Sequence, residues 1–344
     1  MNQNYFHRVT QLTPTRFWIN NVTTTEAHLA LEEGATGCTQ NPSYVWKMID
    51  NNETKEKVDR LIQSYKKEGF DIDTTLVHIQ RDLVGEIAEI FLPQYESSHH
   101  QNGYVSIQGN PFKEDTESII ENALFNYEIS PNIMVKIPAT KEGLEAISYI
   151  AAKGIAINAT EVMSIKQAVD VCEAYEKATK GIKNKAPIYY SHITGILDEY
   201  FTSIVEQQQI QINRDALFQA GMLAARKCYH ITKSINKEVG FIGGGARGLH
   251  HFTEMVGADA CITINWKNTA DILLEQNPYV IERFWMKPSD LLIDELCAKL
   301  PDFKKAYFLH EIHEDEYEEF GPVVLFRKSF EDAWLKAQNY LKNF

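Results

Sequence analysis

Lys136 is the residue of this sequence that packing explains least well. It interrupts the apolar, strand-like run 133–137 (Ile-Met-Val-Lys-Ile), which ends at Pro138 and a helix start. An ammonium buried on both faces of such a run carries a large desolvation penalty, so it either loses its proton or finds a partner. A lysine left partly neutral in this way can attack a carbonyl carbon and form a Schiff base, which makes Lys136 the candidate nucleophile. The competing reading is a lysine whose stem only carries its charge to the rim of the fold and closes an ion pair there. A second stretch, Gly243-Gly244-Gly245-Ala246-Arg247, offers backbone amides that can approach an anion and an arginine with a fork of donors. Against it stands a flexible glycine loop with a surface arginine.

The elements that must position these groups alternate between strand and helix. Strand signals fall over 16–21, 35–40, 104–108, 133–137, 155–160, 188–193, 239–246 and 261–266, with helical patterns between them. A Thr cap and an early Glu open the helix after the first strand. Asn41-Pro42 stops the second, and Ser43 is placed to begin the next helix. Thr140 is the expected N-cap after Pro138, with Glu142 in the first helical turn. Eight strand-then-helix units in roughly 250 residues predict an α/β fold, a (β/α)8 TIM barrel whose reactive groups lie at the C-terminal strand ends. In that fold the loop after strand seven, here the glycine run with Arg247, is a usual phosphate position. The alternative, a doubly wound open sheet, predicts fewer strands and a glycine fingerprint after strand one, where this chain has none. Residues 1–344 are expected to form one domain, with 270–344 a helical extension packed on the barrel and an amphipathic terminal helix over 329–343.

Composition narrows the partners. The chain has 344 residues, 44% of them hydrophobic, and a formal net charge of -13. A surface this acidic, without a basic stripe, argues against nucleic acid. The five cysteines are scattered and form no CxxC pair, which argues against a disulfide framework or zinc knuckle and fits a reducing cytoplasm. The N-terminal stretch lacks the features of a signal peptide and no apolar run reaches membrane-spanning length, so a cytoplasmic protein without membrane contact is expected. His310, Glu311 and His313 come one residue short of a zincin spacing and read as part of a solvated acidic face, so no metal site is expected there. His250 and His251 follow the glycine loop and could reach a ligand, although exposed helix-start histidines are commoner.

Four stretches carry a family resemblance: TQNPS (39–43), NIMVKIPATKEGLEAI (132–147), INATEVMSIKQA (157–168) and EMVGADACITI (254–264). In this order they resemble the transaldolase family of class I Schiff-base aldolases, from about Phe17 to about Trp266, and VKIPAT is the most specific of them. The resemblance implies that Lys136 forms a Schiff base with a ketose and that a dihydroxyacetone unit moves to an aldehyde. It implies further that Asn41 bonds a substrate hydroxyl, that Thr160 helps hold a catalytic water, that Ser191 contacts substrate, and that Arg247, with Gly245 before it, holds a phosphate. Turn chemistry at Asn41 and helix capping at Thr160 are the structural alternatives.

Two positions depart from the pattern. The family's strand-one aspartate, which takes the hydroxyl proton during carbon-carbon cleavage, falls on Asn20, or on Asn21 if the alignment slips by one. Its strand-three glutamate falls on Gln108. An amide can position a water but cannot take its proton. The fructose 6-phosphate aldolase branch also carries Gln at the second position, and the change at Asn20 is not explained by that branch. Ile193 and Ile196 replace an aromatic residue and a second phosphate-binding arginine, which points to a different or less charged substrate. Glu161, His192 and Tyr190 are candidate replacement acids or bases, although strand alternation turns each away from the face its neighbour uses, a rule that weakens at a strand's last residues.

The expected function is therefore a divergent transaldolase acting on a small-molecule sugar or sugar phosphate through Lys136. A class I aldolase of the fructose 6-phosphate kind and a non-catalytic sugar-phosphate-binding relative are the alternatives. No cofactor is expected, because the iminium is itself the electron sink. A homodimer through the terminal amphipathic helix is possible.

Overall fold

The computed structural model describes residues 3–344, and its core is a closed parallel barrel in which each strand pairs with the next in sequence and the last with the first. The strands are β1 (Arg16–Asn20), β2 (Gly37–Gln40), β3 (Tyr104–Gln108), β4 (Ile133–Pro138), β5 (Ile157–Val162), β6 (Ile188–His192), β7 (Gly240–Gly243) and β8 (Cys261–Ile264). This is the expected (β/α)8 barrel. Closure leaves no sheet edge to protect. Alternate residues on each strand face inward. At the base Trp18, Tyr104, Met134, Tyr189 and Ile242 fill the interior.

Above them the interior turns polar. The Thr39 and Thr263 hydroxyls meet at 2.8 Å across the intervening β1, and Asn158 donates to Ser106 at 3.2 Å across β4. Such contacts between non-adjacent strands are made only inside the barrel. Asn20, Lys136, Gln108, Thr160 and Ser191 stand on the same inward period, so the alternation that buries the base also assembles the candidate site.

The connection after β4 holds the lysine strand tightly. Thr140 caps the helix Lys141–Ala152, its hydroxyl accepting the Gly143 amide at 3.1 Å, with Glu142 in the first turn. The Pro138 carbonyl folds back onto this turn so closely that a Cβ on Gly143 would lie 1.8 Å from its oxygen. Gly143→Ala should therefore destabilise the protein by about 3 kcal/mol, at the upper end of overpacking costs, and lower its urea midpoint; an unchanged midpoint would show that the turn relaxes freely.

Several helical expectations are refined. Between β2 and β3 the chain forms two long helices, Lys55–Glu68 and Ile72–Ser97, divided at Gly69, which ends the first in a left-handed conformation. Thr23 and Glu26 form a capping box, whereas Ser43 makes no capping bond to the helix Tyr44–Ile49. A further helix, Tyr5–Leu12, lies ahead of β1, with Phe6 stacked on Phe17 at 4.0 Å. The terminal helix, expected from residue 329, runs from Gly321 to Lys342 with proline in its first turn, where the missing N–H costs nothing. Its apolar face, on which a dimer was expected to rest, is covered by the chain's own barrel: Phe326, Phe330 and Trp334 are buried, and the Trp334 indole donates to Asp73 at 2.9 Å. Among the described residues no helix is long and apolar enough to cross a membrane.

Candidate active site

Lys136 projects into the barrel mouth and is nearly fully buried. Its amine donates to Oδ1 of Asn41, and the ring of Phe330, from the terminal helix, stands 5.8 Å away. Burial pushes the amine down to about 8, against the pull of the Glu161 carboxylate, so an appreciable neutral fraction exists near neutral pH. The lysine neither snorkels into solvent nor closes a direct ion pair.

Around the amine runs a ring of amides and hydroxyls. Asn20 Oδ1 accepts from the Thr39 hydroxyl at 2.9 Å and faces the Asn41 amide at 3.4 Å, while its own amide donates to Asn265 at 3.0 Å. Asn21, the other possible match, turns away in a left-handed conformation and accepts the Asn41 backbone amide at 2.9 Å, so Asn20 is the strand-one residue facing the lysine. Ser191 donates to Asn158 at 2.8 Å. A cavity of about 70 Å³ is bounded by Asn20, Asn41, Lys136, Ser191, Arg247 and Phe326. Thr160 is fully buried beside this ring, and its hydroxyl has no hydrogen-bond partner.

In the glycine loop three backbone amides are already engaged within the chain. The Gly244 amide donates to the His192 carbonyl at 2.9 Å. Those of Arg247 and Gly248 both donate to Nδ1 of His251 at 3.2 Å. Gly245 adopts φ +68°, and a Cβ there would meet Ile193 at 2.6 Å, so the missing side chain is what lets the loop pass over Ile193 and Ile196. Arg247 is half-exposed at the rim and paired with Glu199. A ligand anion must compete with that carboxylate.

His251 is buried, not exposed as a helix-start histidine commonly is, and its Nε2 lies 2.8 Å from Asp198. Donor atoms of Asp198, His250 and His251 lie within 4.8 Å of one another. A neutral imidazole bound to a metal through Nε2 must carry its proton on Nδ1, and here Nδ1 faces two N–H donors. The triad is therefore built as a brace for the Arg247 loop.

Of the three candidate replacement acids, two point away from the mouth. The Tyr190 hydroxyl meets Thr232 at 2.8 Å on an outer helix, and His192 bonds Thr194 at 2.9 Å with burial pushing its imidazole down to about 3. Glu161 behaves otherwise. The register of β5 against β6 shifts between Ala159 and Val162, and Glu161 takes φ +62°, which is uncommon outside glycine and asparagine. The irregularity overrides the alternation that should have turned Glu161 outward. Its Oε1 accepts from the Gln108 amide at 3.0 Å.

Sequence reasoning missed three participants, two of which carried no usable signal. Glu114, in the loop after β3, approaches the same Gln108 amide at 3.5 Å. Arg327, from the terminal helix, lies 2.9 Å from Glu114 and 3.8 Å from Glu161. Asn158 could have been found: it stands two residues before Thr160 on the inward period of an apolar strand.

The Transaldolase/Fructose-6-phosphate aldolase family model matches residues 17–316. The chain belongs to that family. Transaldolases of Mycobacterium tuberculosis and Mycobacterium leprae are 31% and 30% identical to it over 210 residues, 57% of this chain and 54% of theirs. The chain thus aligns with about half the length of the curated transaldolases it matches. Among solved structures, Rhizobium etli pyruvate carboxylase aligns over 70% of this chain and 28% of its own, at 13% identity and a TM-score of 0.27, a likeness too weak to inform fold or function. Within the transaldolase/aldolase family this chain is divergent.

Proposed function

We propose that the chain is a Schiff-base enzyme in which Lys136 captures a ketose or ketose phosphate and a dihydroxyacetone-type unit passes to an aldehyde acceptor. The observation that carries the reading is the amine itself: buried, pushed down to about 8 and oriented by Asn41 at the C-terminal end of a barrel strand. Asn41 and Ser191 line the cavity where substrate hydroxyls would lie, and Asn20, Gln108 and Thr160 surround the reacting carbon. Residues 1–344 act as one domain in this reading, with the 270–344 extension completing the site. Because Arg247 is paired with Glu199 and Ile196 is buried apolar surface, the donor depends weakly on a phosphate. Gln108 in place of a glutamate favours a second reading, simple aldol cleavage without transfer.

Borohydride reduction with dihydroxyacetone or fructose 6-phosphate, followed by mass spectrometry of the Lys136 peptide, tests the proposal. No adduct on Lys136 from any ketose, with sugar binding intact, would leave only a binding protein. The pH dependence follows from the amine. Only the neutral form attacks, so initial capture should rise as pH passes through about 8 and then level off, and a profile unchanged from about pH 6 to about pH 10 would contradict the lowered value.

A further inference from the structure

Taking Lys136 as the imine-forming residue, we infer that Glu161 and Glu114, clamped by Arg327 of the terminal helix, form a buried acid–base pair that supplies the proton needed to complete the Schiff base. The pair takes over work for which Gln108 has no titratable group.

The backbone is the first indication. Glu161 sits at φ +62° inside a fully buried strand end, where a residue with a side chain costs on the order of 1–3 kcal/mol unless the surroundings hold it. What that conformation achieves is to bring a carboxylate to the Gln108 amide, and Gln108 pairs in register with Lys136. The second indication is the charge count. Two carboxylates share one guanidinium: Arg327 Nε lies 2.9 Å from Glu114 Oε2 and 3.8 Å from Glu161 Oε2, and its Nη2 reaches Glu318 at the rim at 3.5 Å. Burial pushes both carboxyls above the usual range and their mutual repulsion lifts Glu114 further, while Arg327 pulls both back. Like charges so placed hold a proton between them. Of the other charged groups, Lys136 from β4 faces Glu161, and Glu331 of the terminal helix faces Arg327.

The third indication is a set of unspent polar atoms. Glu161 Oε2, Gln108 Oε1 and Thr160 Oγ1 are buried without hydrogen-bond partners. A cavity of about 20 Å³, the room of one water, is bounded by Lys136, Gln108 and Glu114. In this proposal a water held there relays the proton between Glu114 and the lysine.

The step balances as follows. The neutral Lys136 nitrogen adds to the ketone carbon as the C=O π pair moves to oxygen, and a proton passes from nitrogen to that oxygen, giving a neutral carbinolamine. The protonated member of the pair gives its proton to the carbinolamine hydroxyl. The C–O bond breaks, water leaves, and the nitrogen lone pair closes the C=N bond. One iminium and one further carboxylate result, and hydrolysis returns the proton to the pair.

The test uses the full chain, dihydroxyacetone as probe, borohydride quenching at timed intervals and mass spectrometry of the Lys136 peptide. Glu161→Gln should slow capture by ~10²–10⁴-fold, read as the rate constant of approach to the plateau and not as the plateau itself. Should Glu161→Gln fold poorly, the triple variant E114Q/E161Q/R327Q removes the two carboxylates together with their shared counter-charge and should fold yet remain slow. Capture at the wild-type rate in either variant would reduce the cluster to a clamp for the terminal helix and overturn the inference. If the wild-type protein itself gives no adduct, the Schiff-base reading has failed, and that outcome is distinct because it is read before any variant is made.

Discussion

Lys136→Met should abolish the borohydride adduct and, at the same time, make the protein more stable. The two effects share one cause. Folding takes the lysine from its ordinary value of 10.5 to about 8 because the amine is buried beside Phe330, with Asn41 as its hydrogen-bond acceptor. A folded-state value below the unfolded one means that the fold works against the charged form. At about 1.4 kcal/mol per pH unit, the difference amounts to about 3 kcal/mol at pH 7, where the unfolded lysine is charged. The cost shrinks as pH rises from about 8 and is gone above 10.5, where the amine is neutral in both states. Methionine has a similar length and nothing to desolvate. Urea denaturation at pH 7 should show the variant gaining on the order of 3 kcal/mol, and the gain should fade towards pH 10. Equal stability at both pH values would mean that the amine reaches water in the folded protein.

Asn20→Asp is the second large effect, and here activity is gained. In the proposed reaction, cleavage of the carbon-carbon bond needs a base for the substrate hydroxyl, and the proposal puts Asn20, an amide, in that place. The Thr39 hydroxyl and the Asn41 amide already donate to Asn20 Oδ1, so a carboxylate there keeps two hydrogen bonds. The second oxygen would face Asn265, whose side-chain amide can rotate to donate where it now accepts. Restoring a positioned base is worth ~10²–10⁴ in rate, read as release of the three-carbon aldehyde phosphate from fructose 6-phosphate. No increase, with the Lys136 adduct still forming, would place the missing step elsewhere.

Most of this site could be read from the chain because it obeys the strand period. Asn20, Gln108, Lys136, Thr160 and Ser191 lie on inward faces that alternation fixes, and the Pro138–Thr140 turn marks where β4 meets its helix. Glu161 was misplaced by the same rule, since a register shift of this kind leaves no mark in the residues around it. Arg327 escaped for another reason. The terminal helix was expected to start at 329, on amphipathic spacing, when the proline at 322 was its start signal. Nothing local to Arg327 says that it meets carboxylates from β5 and the β3 loop, because that meeting is made only by tertiary packing. At the Arg247 loop the glycines are real, but only part of their surroundings could be read: the Gly244, Arg247 and Gly248 amides are used by His192 and His251, and that pairing is made by tertiary packing.

The place of Arg327 in the chain bears on how the protein is made. The barrel's last strand ends at Ile264, whereas the helix that closes its mouth begins only at Gly321. During synthesis all eight strands leave the ribosome before Arg327, so the guanidinium that Glu114 and Glu161 share is the last charge of the cluster to be added. The order of translation thereby becomes an order of maturation, with Lys136 enclosed only when the last helix arrives.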